Sequence, residues 1–262
     1  MRRCARNRNC SSRSSPTLAE SRSSRSLAAS GALAACAAAL GSDSVNGNFV
    51  TSPLDSAGLL LAHHLAPSAT DRAFWARVSD FGLLYSQAIA AGSAFLVLIR
   101  RSDAITPTLY AATQSLTVGP GPLGIHYTAV SAFKAYFKRI RPPGAQLASY
   151  SFPSGHIAFS AICVFASIFI LLPYALPEKT LDTDSALTAS TTSERAASDD
   201  ADMQFQQVTS CIALITPIAL GRVISQNHFT SDALGGALLA GSSACILDAA
   251  QSYRIACCYR NG

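Results

Sequence analysis

The sequence predicts an all-α fold, a multi-pass transmembrane helical bundle of about six spans. Three observations carry that reading. Apolar residues make up 49% of the 262 positions and charged ones only 13%, where a soluble domain carries about 25% charged residues; mean hydropathy is +0.27. Uncharged runs recur close to the ~20 residues a helix needs to cross about 30 Å of hydrocarbon. Charges gather at the ends of these runs, as with Asp80 before residues 81–99 and Arg100 and Arg101 after them.

Taken in order, residues 1–26 form a basic Ser/Arg-rich tail, expected to be disordered. Arg2, Arg3, Arg6, Arg8, Arg13, Arg22 and Arg25 face one acid, Glu20, so the net charge of +5 arises here and the rest of the chain is close to neutral. Such a tail suits nucleic-acid binding, a transit peptide or a cytoplasmic N-terminus. The apolar stretch 27–40 behind it favours the last, and no nucleic-acid partner is expected. Residues 27–42 read as a signal peptide, an anchor or a first span, and Leu33-Ala-Ala-Cys36 has the look of a lipobox.

Residues 43–254 are expected to hold the bundle. Residues 56–66 read as a short helix at the membrane surface. The further spans are 81–99; 104–133, interrupted by Gly119-Pro120-Gly121-Pro122; 155–176; 203–221, with Pro217 near its end; and 233–247, whose Gly and Ala suit close helix packing in lipid. Residues 177–203 differ in kind. Between 178 and 202 seven acids meet two bases among Ser, Thr and Ala, a composition that cannot bury a core and reads as a disordered cytoplasmic loop. Residues 255–262 are a C-terminal tail. The eight cysteines show no CxxC or Cys/His spacing and no disulfide framework. Cys36, Cys163, Cys211 and Cys245 lie in apolar runs, where cysteine acts as a small hydrophobe.

The positive-inside rule holds the Arg-rich tail and the Arg100–Arg101 pair in the cytoplasm. Six spans then leave three polar clusters on the outer face: Lys134, Lys138, Arg139 and Arg141-Pro142; Pro153-Ser154-Gly155-His156; and Arg222 with His228 and Asp232. On a helix, Lys134 and Arg141 would share a face with Lys138. Such a group of cations, with no acid nearby in sequence, invites an anionic ligand. Pro153 suits a first helical turn, and Ser154 and Gly155 leave backbone N–H groups open at a helix N-terminus, where phosphate is attracted. His156 stands beside them, able to donate a proton. His228 and Asp232 are spaced so that a carboxylate orients an imidazole and raises the nucleophilicity of its other nitrogen. Arg222 at a span end is expensive unless an anion pairs with it.

Together the clusters resemble the signature of the type 2 phosphatidic acid phosphatase superfamily: K-x6-R-P (Lys134, Arg141, Pro142), P-S-G-H (Pro153 to His156) and S-R-x5-H-x3-D (Arg222, His228, Asp232). The resemblance covers about residues 81–250. It departs at Gly221, where the family usually has serine; a modest loss of positioning at most is expected. It implies a six-span bundle with its active site at the outer membrane face, in a plasma or inner membrane. It implies roles as well: Lys134, Arg141 and Arg222 bind phosphoryl oxygens with Ser154 and the Gly155 N–H; His228 attacks phosphorus; Asp232 holds His228; His156 protonates the leaving oxygen. Three fixed cations can stabilise the equatorial oxygens, so no metal and no cofactor is expected. The implied substrate is a lipid phosphate or diphosphate. Vanadium haloperoxidases resemble these phosphatases at the same motifs but are soluble; a non-catalytic lipid-binding member of the fold usually loses a histidine or cation that this chain retains.

Overall fold

The first helix, α1 (Pro16–Ser42), is built from Ala, Ser and Leu and closes in a π-turn at Asp43–Gly47. Asp43 Oδ2 accepts the N–H groups of Val50 and Thr51, at 3.1 and 2.8 Å, and so starts α2 (Thr51–Leu65). Reciprocal bonds between Ser68 and Asp71 cap α3 (Ala69–Arg100): Ser68 N–H donates to Asp71 Oδ2, and the Asp71 N–H donates to Ser68 Oγ. Four further helices follow: α4 (Pro122–Phe137), α5 (Gly155–Phe165, prolonged as a π-helix over Ala166–Leu171), α6 (Ala189–Ile224) and α7 (Thr230–Arg260). This computed structural model describes residues 16–47, 50–100, 122–145, 148–171 and 189–260, and every regular element among them is a helix.

Relative to one end of the bundle the helices alternate in direction. α1, α4 and α6 finish there; α3, α5 and α7 start there. Contacts at both ends of the seam show the sense. Ser23 Oγ donates to the Ala249 carbonyl and Ser30 Oγ bonds Ser242 Oγ, so α1 and α7 are antiparallel. Helix contacts of this polar kind replace the hydrophobic drive that lipid lacks. Three helical stretches, Ser23–Asn46, Phe205–Ile224 and Thr230–Ala250, are long and apolar enough to cross a membrane, and Gly155–Phe169 is a shorter apolar one. Phe81, Phe95 and Phe205 are exposed on the outside of the bundle, as lipid-facing residues are.

The helix α5 is central, packed by α3, α4, α6 and α7. Its Ile157, Ala161, Ile162 and Val164 meet Ile215 and Ile218 of α6 and Ala233 and Ala240 of α7 in the main core. A backbone crossing fixes where α5 and α7 begin. A Cβ on Gly236 would lie 2.7 Å from the Ser154 carbonyl oxygen and 3.2 Å from the Ala158 nitrogen. Only glycine permits that approach.

The stretch 56–66, read as a short helix, falls in α2, which begins earlier, at Thr51. It lies across α6 and α7, with Thr51, Asp55, Gly58 and Ala62 buried and Leu60 and Leu65 exposed. Several boundaries differ from expectation. α1 begins at Pro16, inside the stretch composition assigns to a disordered tail, because Ser23 and Ser26 find partners on α7: Ser26 Oγ donates to Asp248 Oδ2 at 2.6 Å. α6 begins at Ala189, within the stretch read as an acidic disordered loop; its Ala and Glu residues are good helix formers. α7 continues to Arg260, through most of the expected C-terminal tail. Residues 1–15, 101–121 with Arg101 and all of the Gly-Pro-Gly-Pro interruption but Pro122, and 172–188 lie outside the described residues. Cys36, Cys163, Cys211 and Cys245 are free thiols.

Candidate active site

The three clusters, far apart in sequence, meet at the end of the bundle where α4 and α6 finish and α5 and α7 start. The Ser154 N–H donates to the Asp232 carbonyl at 2.9 Å, which ties the second motif to the third. Arg141 Nη1 lies 3.1 Å from His228 Nε2 and also donates to the Asn227 carbonyl, which ties the first motif to the third.

The route from Lys134 to Arg141 is not the helical face expected. α4 ends at Phe137, and Lys138 takes a left-handed conformation with φ 49°, its N–H closing on the Lys134 carbonyl at 3.0 Å. Arg141 therefore arrives on a loop, held by Nε to the Ser149 carbonyl (2.6 Å) and by Nη2 to Ser149 Oγ (2.8 Å). Lys138 points to solvent. Lys134 stays on α4 and donates from Nζ to the Tyr150 carbonyl at 2.6 Å. Burial first, and then the Arg141 charge, pull its ammonium down to about 8. Burial likewise lowers Arg141 from its usual value, and Asp232 opposes that shift.

His228, in the loop between α6 and α7, is only 2% exposed. A guanidinium can only donate, so Nε2 facing Arg141 must be the unprotonated nitrogen, and Nδ1 carries the proton toward Asp232. Nδ1 lies 3.5 Å from Asp232 Oδ2, facing the carboxylate but without a formed hydrogen bond. Burial pushes His228 down to about 4, outweighing the Asp232 carboxylate. Burial thus favours the neutral ring.

Asp232 is fully engaged. Its Oδ2 accepts the Phe229 N–H at 2.8 Å, and its Oδ1 accepts Arg139 Nη1 at 2.7 Å. Arg139 was counted in the sequence only as one more cation. It is buried, stacks 4.1 Å over the Phe229 ring, and donates through Nη2 to Asp55 Oδ2 on α2 and through Nη1 to Ser231 Oγ. Asp55 Oδ1 in turn accepts the Ser231 N–H at 2.9 Å. The first cluster, which has no acid nearby in sequence, therefore gains two from distant parts of the chain. Asp55 is the one acid on a stripe of small residues, the buried positions 51, 55, 58 and 62 recurring at helical spacing.

Ser154 caps α5 in an extended conformation with no side-chain cap bond, so Pro153 precedes the cap and does not enter the first turn. A Cβ on Gly155 would meet nothing within 4 Å, so a ligand can approach the backbone there. Ser154 Oγ and Arg222 Nε and Nη2 are buried without a hydrogen-bond partner. Arg222, at the end of α6, and His156, in the first turn of α5, share a carboxylate that sequence reasoning used only as a span boundary: Asp80 Oδ1 lies 3.1 Å from His156 Nε2 and 3.6 Å from Arg222 Nη1. Arg141 and Arg222 act electrostatically on both His156 and His228, so the two imidazoles border one cationic cluster. Such an arrangement can bind a tetrahedral anion, attack it from His228 and pass a proton from His156. Among the described residues no group of three or more His, Cys, Asp or Glu side chains gathers to hold a metal ion.

Gly221 has a local use. A Cβ there would lie 2.8 Å from the Trp75 carbonyl oxygen and 2.9 Å from Ser79 Cβ. The absent serine is thus matched by a close approach of α3, which brings Asp80 to the site.

A family model described as "PAP2 superfamily" matches residues 121–256, half of the chain. A solved structure entitled "Crystal structure of the first transmembrane PAP2 type phosphatidylglycerolphosphate phosphatase from Bacillus subtilis" aligns with a TM-score of 0.54 at 17% identity, covering 86% of this chain and 94% of that one. At that identity the likeness speaks for the fold. No curated protein matches the sequence.

Proposed function

The chain belongs to the PAP2 superfamily, at the family level a membrane lipid phosphatase, and on that premise we propose that it hydrolyses a phosphomonoester or diphosphate of a lipid through a phosphohistidine on His228. The observation that carries the reading is the state of that ring. Nε2 faces Arg141 Nη1 at 3.1 Å, Nδ1 faces an Asp232 oxygen at 3.5 Å, and burial holds the imidazole below its usual pKa.

In this reading the phosphoryl group lies among Lys134, Arg141, Arg222, Ser154 Oγ and the Gly155 N–H. Charge-assisted contacts of this kind contribute about 1.5–3 kcal/mol each. His228 Nε2 attacks phosphorus in line with the leaving oxygen, and His156 protonates that oxygen. Water, with His156 now as base, then breaks the P–N bond. Positioning and charge stabilisation do most of the work in such a transfer, and none of these steps calls on a metal.

Lipid access supports an amphiphilic substrate. Tyr136 and Ile140 flank Lys134 and Arg141 and are 81% and 82% exposed, so apolar surface reaches the cations. Phosphatidic acid, lysophosphatidic acid, phosphatidylglycerophosphate and polyprenyl diphosphate all have the required terminal phosphate. In this reading the site faces the extracytoplasmic side of a plasma or inner membrane. The test is a panel of these lipids assayed with the full chain in membranes, with EDTA present. Phosphate release unaffected by EDTA is expected; no release from any of them would overturn the reading.

The pH profile gives a second test. Lys134 binds the anion only while charged, and its pKa near 8 means that charge is present below pH 8 and lost above it. The alkaline limb of kcat/KM, which reports the free enzyme, is expected near pH 8. In Lys134→Arg that limb is expected to move up by a unit or more, since guanidinium keeps its charge. A limb that stays in place would assign it to another group.

A further inference from the structure

Asp80 is the acid that the site's proposed chemistry does not use. It sits on α3, outside the residues the family model matches, and is held in place by the close α3–α6 approach at Gly221. Its carboxylate contacts two groups that a phosphoryl oxygen would need, His156 Nε2 and Arg222 Nη1. The two sides of that contact differ sharply. The Arg222 side chain is 4% exposed and cannot leave, whereas Asp80 is 58% exposed and can swing to water.

We propose that Asp80 is a built-in competing anion, which occupies Arg222 and His156 between turnovers, yields to the incoming phosphoryl group and helps expel product phosphate. The inference rests on the phosphatase reading given above. Its logic is one of donor number. Arg222 keeps Nε and Nη2 unpartnered, and Ser154 Oγ is likewise buried and unpartnered. A carboxylate engaging through one oxygen leaves those donors idle, while a tetrahedral anion with three free oxygens can satisfy them together. Substrate therefore outcompetes Asp80. Inorganic phosphate, which has lost the lipid's apolar anchorage, does so less well, and the returning carboxylate hastens its departure. Without Asp80, Arg222 and His156 would lose their competing carboxylate, and phosphate would be held longer.

The test uses the full chain in nanodiscs and inorganic phosphate as probe, by calorimetric titration and as a product inhibitor. Removing a unit charge about 4 Å from the bound anion is expected to tighten phosphate binding about fivefold in Asp80→Asn, and Asp80→Ser is expected to move it the same way. KM for the lipid phosphate falls with it, kcat does not rise, and Asp80→Glu restores the parent behaviour. A merely structural role would loosen binding, so the sign decides. Unchanged or weaker phosphate affinity in both variants, or no phosphate binding by any form, overturns the proposal. Because binding is read without turnover, the two readings fail separately: tighter binding with no lipid hydrolysis removes the phosphatase assignment, and with it the expulsion of product, and leaves Asp80 only as an anion that competes for the site. Active enzyme with unaltered phosphate affinity does the opposite.

Discussion

Replacing His228 by alanine is expected to lower turnover by about 10⁴-fold or more, with the protein still folded and still able to bind phosphate. The ring is buried at 2% exposure, but its polar bonds are few: one contact from Arg141 and one long contact to Asp232. Its loss leaves a small cavity, while Lys134, Arg141 and Arg222 remain in place. The chemistry suffers far more. The other imidazole at the site, His156, has its Nε2 turned to the Asp80 carboxylate, and a water in place of His228 is a much poorer nucleophile. Lys138→Ala is the control. Lys138 belongs to the same basic segment but is exposed, and its replacement should leave turnover within about twofold. Near-normal hydrolysis by His228→Ala, or trapping of phosphate on another side chain in the parent protein, would refute the assignment.

The second large effect is expected at Arg139. Its guanidinium lies between two buried carboxylates, Asp55 and Asp232, and also reaches Ser231. Arg139→Ala leaves both acids facing each other without a cation, and breaking a buried ionic group in this way typically destabilises by about 3–5 kcal/mol. Arg139→Lys should rescue only part of this, since one ammonium cannot span the two acids as the planar fork does. Stability is read by thermal unfolding in lipid, turnover by phosphate release. Both are expected to fall, turnover because Asp232 loses the bond that aims Oδ2 at His228. Unfolding and turnover close to the parent's would show that the network is not a support for the site.

What the sequence could show depended on how far each inference had to reach. Three motifs with fixed internal spacing were enough to expect Lys134, Arg141, Ser154, Gly155, His156, Arg222, His228 and Asp232 in one place, because each motif sits at the end of an apolar run. The structure brings these residues together; their chemical roles stand as proposals. The helix from Lys134 to Arg141 was a spacing argument, and spacing does not reveal that Lys138 ends the helix in a left-handed turn. Arg139, Asp55 and Asp80 were missed for a different reason. Each finds its partners across more than fifty residues of chain, in pairings that local pattern does not encode. Gly221 was read as a missing side chain, and only the position of α3 makes it a point of contact. Ser23 and Ser26 of α1 were read by composition, as tail, whereas with Ser30 they make a polar seam with α7.

The crossing of α5 over α7 at Gly236 has an electrostatic result. It sets the first turns of two helices side by side, at Gly155 and at Thr230, joined by the bond from Ser154 to Asp232. Each helix start carries roughly half a positive charge from its aligned peptide dipoles, so the backbone alone contributes on the order of one charge to the field there. No side-chain replacement removes that share. The mouth of the bundle stays attractive to anions even when a lysine or arginine is taken away, and its pull on a charged lipid is partly a property of the fold.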